Sequence, residues 1–150
     1  ERAVLRGSMG LMPYEDLEAA ETQLRHQIEA MAGTDSWLRH HPPIVTCEGG
    51  YRAAGAEIPA GHPIVGVLQS AFQQVTGQSP RLAGRMGAAD SRFLIRNGRT
   101  PTVIFGPGET AQMHATYENV PVENLIVAAK VLALSVVAWC TNRDTFQPGG

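Results

Sequence analysis

Cysteine is scarce in this chain. Its two residues, Cys47 and Cys140, are too few for a disulfide framework, and neither belongs to a Cys-x-x-Cys pair that would clasp a structural zinc. An excess of basic charge is missing too. The formal net charge is −2, which excludes a nonspecific nucleic-acid binder, whose surface must neutralise phosphates. No apolar run is long enough for a membrane span. The longest, Leu125 to Trp139, covers about fifteen residues and contains Lys130, against the roughly 20 that a span requires. It reads as a buried helix in a protein without membrane contact. There is no signal peptide and no internal repeat. The chain opens Glu1-Arg2-Ala3-Val4 without an initiator Met, so a fragment or processed form is expected. A reduced, cytoplasmic compartment is the default. No His-x-Asp, His-x-x-Glu-His or serine nucleophile elbow occurs.

What remains is the composition of a globular chain. The 150 residues are 43% hydrophobic, about one ordinary domain. Residues 3–12 read as a strand. Pro13 suits the first turn of a helix, with Glu15, Asp16 and Glu18 at its positive end. Leu17, Ala20, Leu24, Ile28 and Met31 then recur at helical spacing, and Gly33 fits the stop. After a connector, Ile44–Cys47 is a short strand candidate. Residues 48–61 are rich in Gly and Ala, lack periodicity and mark the best domain boundary.

Ile64, Val67, Leu68, Ala71, Phe72 and Val75 predict a second helix that ends at Gly77. Residues 80–87 look like a strand leading into a glycine turn. Asp90-Ser91 caps a short helix from Arg92 to Asn97. Residues 101–105 read as a buried strand, and a final helix runs from about Pro121 to Trp139. The polar tail after it is expected to fray. From Gly61 onward helix and strand alternate, which predicts an α/β layer with a parallel sheet. Residues 1–48 look like part of a smaller α+β unit.

Three sites deserve a chemical reading. At Gly87-Ala88-Ala89-Asp90 a glycine turn feeds a helix N-terminus, whose free N–H groups can hold an oxyanion or a carboxylate. Asp90 as a plain N-cap is the simpler alternative. The loop Gly106-Pro107-Gly108-Glu109-Thr110 lacks the Lys-Ser/Thr of a phosphate loop and the third glycine of a dinucleotide fingerprint, so nucleotide binding is remote. His114 lies in a loop beyond a strand, where α/β folds place their sites. Metal ligand, acid/base and solvated loop residue all remain open for it on spacing alone. His26, His40, His41 and His62 have solvated or capping explanations.

Three segments together resemble a known family. Residues 87–94 (GAADSRFL) are similar to the Gly-x-Thr-Asp-Ala-Arg-Phe turn of the dinuclear-zinc amidohydrolases and exopeptidases, which include acetylornithine deacetylase and succinyl-diaminopimelate desuccinylase. Residues 101–108 (PTVIFGPG) resemble the next strand and loop. Residues 113–120 (MHATYENV) resemble the segment Ala-His-x-x-Asp-Glu-Tyr-Val. Upstream, residues 10–16 look like the entry into a lid-domain helix, and residues 35–43 like its return. The resemblance spans about residues 3–140.

The resemblance implies a three-layer α/β zinc-exopeptidase catalytic domain, here its C-terminal part in residues 49–150. Residues 1–48 would be the end of an α+β lid that forms homodimers. His114 would hold one of two zinc ions (cobalt or manganese serving in its place), and Gly87, Ala88, Ala89 and Asp90 would line the substrate side. The substrate would be an N-acyl amino acid or a small peptide. The other metal ligands and the general base would lie in N-terminal sequence, so the isolated chain is expected to be inactive. The chain departs from the pattern at Ala89, Tyr117 and Asn119, and Gly10 stands where many members carry a lid arginine. A non-catalytic dimerisation or interaction module is the alternative.

Overall fold

A computed structural model describes residues 3–47, 52–85 and 87–141. Two compact units divide the chain, Glu1–Glu57 and Ile58–Gly150. Residues 142–150 of the predicted polar tail and residues 48–51 of the Gly-rich stretch lie outside the described residues.

The first unit is built on α1 (Leu17–Thr34). Its start is one turn later than Pro13 allows. The Asp16 side chain accepts the Ala19 N–H at 2.8 Å, and Glu15 accepts the Met12 N–H at 2.6 Å. Asp16 is therefore the N-cap, satisfying a first-turn donor of the helix, whereas Glu15 serves a donor ahead of it and only Glu18 rides in the first turn. The helix also runs through Gly33 to a cap at Asp35. Its covered stripe is Leu17, Ala20, Leu24, Ile28 and Ala32; Met31 points outward, 69% exposed. The i, i+4 step from Ile28 reaches Ala32, so the last turn is set by the smaller residue.

A strap follows the helix back along this unit. Arg25 donates to the Val45 carbonyl and pairs with Glu21 at 2.8 Å, while Arg52 takes the other Glu21 oxygen at 2.8 Å. Gly55 then lies on Pro13: a Cβ there would stand 2.7 Å from the Pro13 Cα, so any larger residue must shift backbone. Trp37 and His41 meet in the connector, ring centroids 4.6 Å apart.

The second unit rests on α2 (Pro63–Thr76) and α4 (Val122–Thr141), which pack on each other. Between them come α3 (Ser91–Arg96) and a single 3₁₀ turn, Thr110–Gln112. His62 caps α2, its Nδ1 accepting the Ile64 N–H at 3.2 Å. Gly77 closes it with φ +73°, the left-handed cap that glycine adopts without strain. The buried residues of the pair are Val65, Ala71, Ala128, Val131 and Ser135. Most are small, which lets the backbones approach.

One expectation needs correction, and a second finds no support among the described residues. The final helix is not a buried one. Only Ala128, Val131 and Ser135 are buried along its 20 residues, because α2 covers a single stripe. Ile126, Leu132, Val136 and Val137 face outward. By length and composition α4 reaches what a membrane-crossing helix requires, although its apolar core is shorter. The expected α/β layer is not confirmed: among the described residues there is no strand. Segments 3–12, 44–47, 80–85 and 101–105 lack helix and ladder alike. A strand requires a neighbour for its N–H and C=O groups, and no described segment provides one.

Two measurements follow from this packing. Val131 is fully buried, so Val131→Ala should cost about 2 kcal/mol in urea denaturation, while Val136→Ala on the exposed face should cost little. Equal costs would mean that the helix buries a different stripe. Glu21 is held below the ordinary carboxylate range, first by its hydrogen bond from Arg25, then by Cys47 and by the charge of Arg52. A depressed carboxyl stabilises the fold above its unfolded value and loses that contribution as pH falls through the folded one. Glu21→Gln should therefore lower the melting temperature at neutral pH, with the gap to wild type closing below about pH 4. A gap that persists in acid would show that packing, not charge, is lost.

Candidate metal and substrate site

His114 sits one residue past the cap of the 3₁₀ turn, in a segment whose N–H groups are satisfied locally: Ala115 donates to Gln112 at 3.1 Å, and Glu118 to Ala115 at 3.2 Å. Its backbone is left-handed, φ +62°, a conformation uncommon for a residue with a side chain. The Glu118 carboxylate accepts the His114 N–H at 3.2 Å. That contact decides between two roles for Glu118. It supports the backbone of the histidine rather than standing beside the imidazole as a helical i, i+4 partner. The imidazole itself is exposed and makes no hydrogen bond among the described residues.

The loop that carries His114 is fastened at both ends. Before it, Phe105 meets Phe72 of α2 edge to face, centroids 6.2 Å apart, a favoured aromatic geometry. The Pro107 carbonyl then accepts from the Asn124 side chain of α4 at 3.1 Å. After it, Asn124 and Leu125 N–H groups return to Pro121.

Gly87, Ala88, Ala89 and Asp90 form the other candidate segment. Gly87 has φ +107°, a conformation reserved for glycine. Asp90 stands at the N-cap position of α3 without a side-chain capping bond. This corrects the simple capping role. Its backbone is helical, φ −71° and ψ −12°, whereas a capping side chain needs an extended backbone to fold over the helix start. The Asp90 carboxylate is thus left uncommitted by the helix that follows it.

Arg85 joins the two segments. Its guanidinium lies 3.5 Å from the Met113 sulfur, next to His114, and 3.5 Å from the Ala88 carbonyl. Sequence spacing gives no signal for this, since the partners are 28 residues apart. A metal needs several donors at once. No cluster of three His, Cys, Asp or Glu side chains occurs among the described residues. His114 alone fits as one member of a ligand set: an imidazole with both nitrogens free, on an anchored loop. The concave surfaces along α1 and between α2 and α4 include neither His114 nor the Gly87–Asp90 turn.

Residues 7–138 match the Peptidase family M20/M25/M40. The chain belongs to this family of hydrolases, whose members are generally metal-dependent. It is 25% identical over 138 residues to N-formyl-4-amino-5-aminomethyl-2-methylpyrimidine deformylase of Bacillus subtilis, covering 87% of this chain and 32% of that protein. It is 24% identical over 135 residues to the deformylase of the same name from Halalkalibacterium halodurans, covering 85% and 31%. Over 75 residues it is 40% identical to succinyl-diaminopimelate desuccinylase of Magnetococcus marinus, covering 49% and 19%. The chain thus spans about a third of the length of the deformylases it matches. No solved structure gives a significant match.

The left-handed backbone makes His114 separable from the fold. His114→Gly relieves the strain while adding chain entropy, so its stability should change by less than about 1 kcal/mol in chemical denaturation. A larger loss would mean that the imidazole is a packing residue.

Proposed function

We propose that this chain contributes the last metal ligand and part of the substrate-binding wall to a zinc-dependent amide hydrolase. The observation that carries the reading is the anchored loop at Phe105–Asn124, which presents a free imidazole at His114. The family match over residues 7–138 supports it. Relatives named as a deformylase and a desuccinylase support small N-acyl compounds as substrates.

In this reading His114 would hold zinc through a ring nitrogen, and bound zinc would supply water activation and polarisation of the scissile carbonyl. The chain's own residues then have separate tasks. Glu118 keeps the His114 backbone in its left-handed turn. Gly87 to Asp90 face the substrate, with Gly87 permitting the close approach of backbone N–H groups. Phe105 and Asn124 hold the loop in place as substrate enters. The general base and the remaining metal ligands belong to a polypeptide longer than these 150 residues. The first unit corresponds to the end of a lid that pairs two copies.

The test compares two preparations. The 150-residue chain with zinc added should show no hydrolysis of N-formyl or N-succinyl amines, since three protein ligands are usual for catalytic zinc. A longer polypeptide carrying this chain should hydrolyse one of them, lose activity to a chelator, and lose at least a hundredfold on His114→Ala. Chelator-sensitive activity in the short chain, or an active His114→Ala protein, would defeat the proposal.

A further inference from the structure

Arg85 differs from Arg25 and Arg52, the two arginines that form ion pairs among the described residues. Arg25 and Arg52 each spend their charge on Glu21 at 2.8 Å. Arg85 is held only by a thioether and a carbonyl, both at 3.5 Å, and forms no ion pair among the described residues. Neither contact neutralises a guanidinium, whose planar fork is shaped for a carboxylate. The nearest acids in the two segments give it no ion pair. Glu118 is bonded to the His114 N–H, and Asp90 leaves its helix uncapped.

Its surroundings reinforce this. Residues 81–99 hold five arginines, Arg81, Arg85, Arg92, Arg96 and Arg99, against the one acid Asp90. Within a chain of net charge −2, this segment is a local positive field that concentrates anions. Arg85 is the member that also touches Met113, one residue from His114.

Resting on the amide-hydrolase reading, we propose that Arg85 is a specificity-determining residue that binds a carboxylate of the substrate beside the His114 loop. One face of the fork keeps its contacts with Ala88 and Met113. The remaining N–H groups take the anion, so that an acidic substrate is held across the Gly87–Asp90 turn. No covalent step is involved.

The test is a nuclear magnetic resonance titration of the isotope-labelled 150-residue chain with sodium succinate, with acetamide as the neutral control. It reads the Arg85 Nε–H and Met113 methyl signals. Succinate should give saturable shifts with a dissociation constant on the order of millimolar, and acetamide none. Arg85→Met should weaken succinate about tenfold or more. Arg85→Lys should weaken it less, because an ammonium keeps the charge but not the fork. An unchanged succinate response in Arg85→Met overturns the proposal. So do shifts spread equally over Arg81 and Arg99, reproduced by sodium chloride. If Arg85→Met alters the Gly87–Asp90 amide signals before any succinate is added, Arg85→Lys decides: restored signals with no succinate response assign Arg85 to holding the loop and overturn the proposal. Succinate binding does not depend on zinc or hydrolysis, so failure of the amide-hydrolase reading shows separately, in the activity comparison above.

Discussion

The contact between α2 and α4 is what the second unit depends on. Val131 fills it, and Ala71, Ala128 and Ser135 keep the helices close. Ser135 is the one buried polar residue among those described, and its hydroxyl donates to the Val131 carbonyl at 2.8 Å. The hydroxyl therefore brings no unsatisfied group into the contact. The loop that carries His114 hangs from this pair. Phe105 leans on α2 through Phe72, and Pro107 is tied to α4 through Asn124. A loop fastened to two packed helices can hold a strained residue such as His114 in one conformation.

The first unit is organised by charge rather than by apolar burial. Ala32 is its one buried hydrophobic residue among the described residues. Glu21 compensates by binding α1's own Arg25 and the returning Arg52 with its two oxygens. Such pairs are half-exposed and partly screened, so they orient the strap more than they stabilise it. The close seat of Gly55 on Pro13 adds a steric contact that salt cannot weaken.

Helices were the legible part of the sequence. The helix α2 and its stop at Gly77 followed from apolar spacing and a glycine, and the structure has both; of its predicted stripe Ala71 is buried, while the buried Val65 lay outside that stripe. Boundaries misled where a side chain had another task. Asp16 and Glu15 looked like first-turn acids, but Asp16 caps α1 from just before it and Glu15 serves a backbone donor outside it. The extended segments were legible as apolar runs, yet an apolar run does not contain its hydrogen-bond partner. At the candidate site, His114 and the Gly87 turn could be picked out from motifs. Arg85 could not, because its role depends on a contact with Met113 across 28 residues.

The sequence by itself determined the helical periodicity, the glycine turns, the modest net charge and the motifs that mark an amide hydrolase family. These are local patterns, set by spacing and side-chain chemistry. Only the tertiary structure decided which stripe of α4 is covered and that Asp90 caps nothing. It also decided that Glu118 serves the His114 backbone and that Arg85 stands between the two candidate segments. Those facts depend on chain direction after each turn and on which distant atoms meet. Packing fixes such contacts through space, and no residue spacing encodes them directly.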